Sequence, residues 1–225
     1  MEDLLRFKFN QKYINFDAET EGLNLVSSRP WQISWIEAVG KKITARKNKF
    51  IWWDDLDISN AAAIVTRFDK RYYFDEGLQN KTYRIDEKVF KTESPLSVYS
   101  EIINKLNQKD FIIVGQNILG YDIYILGVLA KKLGLKIDYS FVSRIFDTKA
   151  VAMALAKENK TPDKEDFLSW QIKFLNHRER KIKTNQKFLL QKYEIDFEES
   201  KLHDGIYDVE KNFEIFQKQI WELDI

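Results

Sequence analysis

The chain has 225 residues, of which 44% are apolar and 14% aromatic, enough for one well-filled core rather than several independent domains. Its 36 basic and 35 acidic residues leave a net charge of +1, so any basic surface for nucleic acid must be local. The lack of cysteine excludes disulfides and thiolate zinc sites, and the longest apolar run, 150–156, is far below the roughly 18 residues that span a bilayer. We therefore expect a cytoplasmic or other intracellular protein without a membrane partner.

The first part of the chain is predicted to be a meander of strands. Residues 12–19 alternate between apolar and polar side chains, which predicts a half-buried strand whose polar face carries Asp17 and Glu19. Segments 29–39 and 42–53 are rich in Trp, Ile and Phe on either side of a Gly-Lys turn, and they predict two further strands.

The remaining elements are predicted to alternate between helices and strands. The continuous apolar run 111–114 is typical of a strand that is buried on both faces. Strands first and alternation afterwards favour a mixed α/β sheet flanked by helices. We predict helices over 58–68, from Ser94 onward, and over 120–133, 148–157 and 204–223, with strands and loops over 69–93.

Asp122 occupies a position where the sequence pattern predicts an apolar side chain. At helical spacing it shares a face with Ile125, Leu126 and Leu129, which must face the core. A buried carboxylate is unfavourable unless it is paired or bound to a metal, so Asp122 needs a specific partner. A salt bridge or a helix-capping role would also satisfy it, and these alternatives stay open.

His203 and Asp208 stand five residues apart at the start of the last predicted helix. From composition alone, roughly 0.16 His-x4-Asp pairs are expected in a chain of this kind, so this spacing is informative. About 1.4 Asp-x-Glu triplets are expected by chance, so Asp17 and Glu19 are informative only because they lie on one face of a predicted strand. At 100° per residue, Asp208 lies roughly 120° from the centre of the helix's core stripe and can project into a cleft. A lone histidine is more often a surface or core residue; this spacing favours a functional one.

Three stretches of the chain resemble, in order, the motifs of the DEDD 3′→5′ exonucleases, in the branch that uses histidine as a base and includes bacterial proofreading subunits. They are FDAETEGLN (16–24), GQNILGYDIYIL (115–126) and LHDGIYD (202–208). RIFDTKAVAMAL and KFLLQKYEID also resemble stretches between the second and third motifs. The likeness is weakest near 54–93 and 159–185, so we expect a single exonuclease domain over 1–225 with insertions in those two segments.

The resemblance implies a ribonuclease H-like mixed sheet of five strands and a hydrolase acting on phosphodiester bonds. It implies that Asp17, Glu19, Asp122 and Asp208 hold two divalent cations and that His203 is the general base. Mg²⁺ or Mn²⁺ suits four carboxylates, because hard cations prefer oxygen ligands. We expect Asp17, Glu19 and Asp208 to hold one ion, with Asp17 bridging to the second and Asp122 reaching it through water.

Further residues are candidates for contact with nucleic acid. Leu23 resembles the apolar wedge that the family places against the terminal base, with ordinary turn packing as the alternative. Asn117 is expected near the cleft, with a helix-capping role as an equal alternative. The basic run after His177 either follows a phosphate backbone or forms a solvated helix face, and His177 itself is expected to be exposed and non-catalytic. The basic candidates are Arg178, Arg180, Lys181 and Lys183.

We expect the chain to remove nucleoside monophosphates from DNA 3′ ends, with single-stranded DNA preferred over RNA and a DNA polymerase as a candidate partner. The alternatives are an exoribonuclease of the same family and a catalytically silent, polymerase-associated binding module. The presence of all five candidate catalytic residues argues against the silent module. Two positions depart from the family pattern: Glu21 replaces a frequent Thr and adds a negative charge beside the expected cleft, and Gly205 replaces the usual Ala.

Overall fold

A seven-stranded mixed sheet forms the centre of the computed structural model, which describes residues 7–68, 81–85, 88–162, 166–177, 179 and 181–224. The strands lie in the order β4-β5-β3-β2-β1-β6-β7. β2 is antiparallel to β1 and β3, whereas β6 is parallel to β1 and β7. The strands are β1 (Lys12–Thr20), β2 (Pro30–Val39), β3 (Lys42–Ile51), β4 (Thr82–Ile85), β5 (Lys88–Glu93), β6 (Phe111–Gly115) and β7 (Ile145–Asp147).

The predicted fold class, a mixed sheet flanked by helices, is confirmed, but the expected number of five strands is too low. The two additional strands are the antiparallel hairpin β4–β5, in which β5 pairs in parallel with the end of β3. Most β5 side chains are exposed or half-buried at this edge. In this hairpin only Thr82 and Tyr83 of the outermost strand β4 are buried, so the short charged segment gave a weak strand signal.

Seven helices are present in the described ranges, and most of them begin at a polar side chain that accepts a backbone N–H of the first turn. Ser59, Ser94, Asp147, Asn185 and Asp204 all serve as such N-caps. The five predicted helices are confirmed, and two more lie in the segment before residue 193. The helices are α1 (Asn60–Thr66), α2 (Pro95–Leu106), α3 (Asp122–Lys132), α4 (Thr148–Ala156), α5 (Phe167–Leu175), α6 (Gln186–Lys192) and α7 (Gly205–Gln219).

Strand β1 is buried on both faces, so the expectation of a half-buried strand is wrong. Ile14 and Phe16 pack into a core with α2 and α3, whereas Tyr13 packs into a second core with α4 and α7. Helix α7 covers the face that carries Tyr13 and Asn15, and the amide nitrogen of Asn15 is paired there. Asn15, only 1% exposed, donates to the carbonyl of Val209 at 2.8 Å. The two cores fix the direction in which the end of β1 points.

In their described parts, the two predicted insertions have different surroundings: the first forms a separate apolar cluster, and the second packs into the second core through Phe167, Trp170 and Phe174. α1 and the β4–β5 hairpin pack around Trp31, Phe50 and Tyr83 in a smaller apolar cluster, while residues 69–80, 86–87 and 163–165 lie outside the described residues. That these segments are insertions in a single exonuclease domain remains a prediction. Among the described residues, no helix combines the length and the apolar character needed to cross a membrane.

Candidate active site

All five candidate catalytic side chains line one cleft with a volume of about 530 Å³. The end of β1 supplies Asp17 and Glu19, and the first residue of α3 supplies Asp122. The first turn of α7 supplies Asp208, and the turn just before that helix supplies His203. Three segments that are far apart in the sequence therefore meet at one place, as the family resemblance implied.

The turn that leads from β6 into α3 is held by the carboxylate of Asp147, at the end of β7. One oxygen accepts the backbone N–H groups of Asn117, Lys149 and Ala150 at 3.0–3.1 Å, and the other accepts that of Leu119 at 3.0 Å. Asp147 therefore caps α4 and fixes the backbone before α3 at the same time. This arrangement places the start of α3 at the cleft.

Asp122 is buried, with 2% of its surface exposed, and its carboxylate accepts the backbone N–H of Ala18 at 3.1 Å. Within the described ranges no basic side chain forms an ion pair with it, and the N-cap of α3 is Tyr121. Neither a salt bridge nor a capping role accounts for this carboxylate. Burial, together with the charge of Asp17, raises the pKa of Asp122 well above its ordinary value.

The other cleft carboxylates have raised pKa values for the same physical reasons. Burial raises the pKa of Asp17 to about 6, and burial together with the charge of Asp17 raises that of Asp208 to about 8. The pKa of Glu19 is raised well above its ordinary value by burial and by the charges of Asp17 and Asp208. Clustered carboxylates that repel one another and offer only oxygen atoms match the ligand preference of Mg²⁺ or Mn²⁺.

His203 has a left-handed backbone conformation (φ 70°) in the turn before α7, and its backbone N–H donates to the carboxylate of Asp208 at 2.9 Å. Its side chain belongs to a group with Glu19 and Asp208 in which the possible metal-ligand atoms all lie within 4.8 Å of one another. Partial burial and the positive charge of Arg67 lower the pKa of His203. The imidazole is therefore predominantly neutral at neutral pH and can accept a proton.

The two candidates near the cleft have distinct environments. Asn117 lines the cleft with φ 63°, and its side-chain oxygen accepts a hydrogen bond from Lys149 at 3.0 Å. Because the N-cap of α3 is Tyr121, the capping alternative for Asn117 is not observed. Leu23 is 88% exposed in the turn after β1, which does not fit the alternative of ordinary turn packing.

Of the basic run 177–187, only its last basic residue, Lys187, lines the cleft in the described residues, and its ammonium group is paired with Glu199. Lys181 and Lys183 are exposed, and neither lines the cleft. Arg178 and Arg180 lie outside the described residues. His177 is exposed and also lies away from the cleft, as expected. Lys181 and Lys183 fit the solvated-surface alternative better than a role beside the reacting bond.

Several cleft residues were not identified from the sequence, and three of them contact the segments that carry the catalytic side chains. Arg67, at the end of α1, donates to the carbonyl of Ser200 and reaches the segment that carries the candidate base. Gln186 donates to the backbone carbonyl of Asp208 at 2.9 Å. The hydroxyl of Tyr121, next to Asp122 in the second motif, donates a hydrogen bond to the backbone carbonyl of Gly22 at 2.7 Å. Only Tyr121 had a sequence signal, because the other two lie outside the quoted motifs.

Both departures from the family pattern have a structural explanation. The carboxylate of Glu21 is paired with Arg29 and accepts the backbone N–H of Asp57 at 2.9 Å, so the expected uncompensated negative charge beside the cleft is not observed. At Gly205, a Cβ atom would lie 2.3 Å from the hydroxyl oxygen of Ser34, on the neighbouring strand β2. Glycine is needed there because α7 approaches the sheet closely.

The sequence matches no family model and no curated protein. The fold is similar to that of Escherichia coli exonuclease I in complex with a dT13 oligonucleotide, with a TM-score of 0.65 and 15% identity over 93% of this chain and 40% of that one. The zinc-bound form of the E. coli exonuclease I complex with single-stranded DNA gives a TM-score of 0.65 and 15% identity over 94% and 40%. The likeness shows that this chain shares the fold of the matched part of those proteins, a mixed sheet flanked by helices, and it spans about two fifths of their length.

Proposed function

We propose that this chain is a metal-dependent 3′→5′ exonuclease of the histidine branch, which removes nucleoside monophosphates from single-stranded DNA 3′ ends. The observation that carries the proposal is the meeting of Asp17, Glu19, Asp122 and Asp208 with His203 in one cleft. The similarity in fold to a protein bound to oligonucleotides supports the same substrate class.

The four carboxylates are the groups that would hold two divalent cations. They fit such ions because burial and mutual repulsion raise their pKa values, so bound positive charge would relieve both effects. Asp17 contributes to the raised pKa of each of the other three and is the natural shared ligand. When bound, Mg²⁺ or Mn²⁺ would supply Lewis-acid activation of water and charge stabilisation of the leaving oxygen.

His203 is the proposed general base. Its neutral imidazole takes a proton from the attacking water as the new oxygen–phosphorus bond forms and the bond to the 3′-oxygen of the preceding nucleotide breaks. Arg67 contributes by lowering the pKa of the imidazole, which keeps it neutral before the reaction. Because His203 is exposed, the proton can then pass to solvent. The products are a nucleoside 5′-monophosphate and a strand shortened by one nucleotide.

The test uses single-stranded DNA and RNA of one sequence, labelled at the 5′ end, with Mg²⁺, Mn²⁺ or EDTA. We expect a ladder of labelled DNA products that shorten with time in either metal and no products in EDTA. Asp17→Asn serves as the inactive control and His177→Ala as the active one. Faster shortening of RNA would assign the chain as an exoribonuclease, and binding without cleavage would assign it as a silent binding module. A DNA polymerase partner remains a prediction.

A further inference from the structure

A second groove, with a volume of about 680 Å³, lies along the exposed side of α3. The helix contributes Tyr124, Gly127 and Lys131. Gly127 and Lys131 follow Tyr124 by three and seven residues, so the three positions lie on one face of the helix. Leu25 and Val26 of the 22–28 loop also line the groove, and both side chains are exposed. The catalytic residues of the proposed exonuclease do not include any of these side chains.

The groove lies near the catalytic cleft, because two elements contribute to both. Helix α3 begins at the cleft residue Asp122, and the groove positions 124–131 lie between about 3 and 14 Å further along the helix axis. The 22–28 loop is tied to the cleft because the hydroxyl of Tyr121, which lines the cleft, donates to the carbonyl of Gly22. A chain that leaves the cleft across Leu23 therefore meets the groove next.

Two partly exposed aromatic rings line this groove. Tyr124 and Tyr139 both line it, with 48% and 44% of their surfaces exposed. A Cβ atom at Gly127 would lie 2.5 Å from the hydroxyl oxygen of Tyr139, so a glycine inside the helix is what lets this tyrosine rest against it. The ring of Phe141 supports Tyr139 from its other side, with the ring centres 6.2 Å apart.

The charged groups at the groove are basic. Lys131 and Lys136 are exposed, and across the ranges that the structure describes neither forms an ion pair. The neighbouring carboxylate of Asp138 is already occupied, since it accepts the N–H and the hydroxyl of Ser140 at 2.8 and 3.0 Å. Exposed aromatic rings beside unpaired lysines are the combination that binds single-stranded nucleic acid, because bases stack on the rings and phosphates contact the ammonium groups.

We infer that this groove binds the single strand upstream of the nucleotide that is cleaved. Bases on the 5′ side of the scissile bond stack on Tyr124 and Tyr139, and their phosphates contact Lys131 and Lys136. The inference rests on the proposed function, because it places the 3′ end of the same strand in the cleft. It predicts that affinity rises with strand length until the groove is filled.

The test measures kcat and KM on oligonucleotides from dT2 to dT12. We expect Tyr124→Ala and Lys131→Ala/Lys136→Ala each to raise KM for dT12 on the order of 5- to 100-fold, with kcat and the KM for dT2 unchanged. Tyr124→Phe should restore the wild-type KM, because the ring is retained. The double lysine variant should also reduce the slope of log KM against log salt concentration by roughly 1.4. Lys42→Ala/Lys132→Ala removes the same charge outside the groove and should match wild type.

The outcomes separate the two proposals. If wild type shortens dT12 and the groove variants keep its KM at every length, the groove is not the strand site and the proposed function stands. If wild type cleaves neither dT2 nor dT12, the proposed function fails, and this inference fails with it. A wild-type protein that sediments as a dimer, with Tyr124→Ala monomeric, would overturn the inference by assigning the groove to a second copy of the chain.

Discussion

Asp147 and Asp122 are both buried carboxylates at the ends of neighbouring elements, but their surroundings differ. Asp147 accepts four backbone N–H groups from two segments, whereas Asp122 accepts that of Ala18 and is repelled by the charge of Asp17. Hydrogen bonds to backbone donors replace the water that Asp147 has lost. Burial raises the pKa of both groups, that of Asp147 to about 6, so the difference between them is the number of backbone donors, four for Asp147 and one for Asp122. We therefore expect Asp122, and not Asp147, to need a cation.

The largest expected effect comes from neutralising the centre of the cleft. Asp17→Asn should lower hydrolysis in Mg²⁺ to well below roughly a tenth of the wild-type rate, because Asp17 is the proposed shared ligand of both ions. The fold should persist, since the amide has the same shape and one repulsive charge is removed. Single-turnover cleavage and circular dichroism would measure the two properties. Retention of wild-type activity in protein free of contaminating nuclease would show that Asp17 is not a shared metal ligand.

His203 tests the cleft without changing a carboxylate. His203→Ala should lower the rate by on the order of 10² to 10⁴, while the cleft carboxylates continue to bind metal. In wild type the rate should rise with pH through an ionisation below 6.5, since burial and Arg67 lower the pKa of the imidazole. Single-turnover rates across pH measure both effects, with His177→Ala as the control that keeps the wild-type profile. A His203→Ala enzyme as fast as wild type would remove the histidine mechanism.

A matched pair of substitutions tests the structural half of the comparison. Asp147→Asn should lower the free energy of unfolding by about 1–3 kcal/mol, because its new NH₂ group faces a backbone donor in place of an acceptor oxygen. Asp122→Asn should leave stability unchanged or raise it, since the amide oxygen still accepts from Ala18 and the repulsion from Asp17 disappears. Urea denaturation in EDTA gives both values. Equal losses in the two variants would mean that donor number does not distinguish these sites.

The pH dependence of stability should be a smaller effect that depends on metal. Asp17 and Asp208 have folded-state pKa values of about 6 and about 8, above the ordinary value of 3.8, so the folded protein binds protons more tightly than the unfolded chain. In EDTA their contribution to stability is full below the ordinary pKa and is lost as pH rises through the raised values. Melting temperature should therefore increase from about pH 8 towards pH 4, and Mg²⁺ should oppose this trend because it binds ionised carboxylates. A flat profile in EDTA would contradict the raised pKa values.

The sequence was sufficient to predict the sites whose signal lies in local periodicity. The predicted strand position of Asp17 is confirmed. Asp122 lies in the predicted helix and is buried, as expected from its place on the apolar face of that helix. Arg67 could not be predicted, because its approach to Ser200 depends on how α1 packs against a distant turn. Asp147 was also missed, since its partners are backbone N–H groups that carry no sequence signal.

The burial of β1 shows a second limit of pattern reading. An alternating sequence normally indicates one solvated face, yet the amide nitrogen of the buried Asn15 donates to the side-chain oxygen of Asn212, on α7, at 3.1 Å. Polar residues that form hydrogen bonds inside the protein give the same alternation as a strand with one face in water. The number of strands was underestimated for a different reason, because the short hairpin β4–β5 buries only Thr82 and Tyr83 and its other side chains are exposed or half-buried.

Diffraction from crystals soaked in Mn²⁺ tests the central claim most directly. We expect two anomalous peaks in the cleft, about 3.5–4 Å apart, among Asp17, Glu19, Asp122 and Asp208, and no peak at Asp147. The peaks should disappear in Asp17→Asn and persist in His203→Ala. A cleft without manganese at Mn²⁺ concentrations that support cleavage would contradict the proposed two-ion site. Manganese bound at Asp147 would contradict its purely structural role.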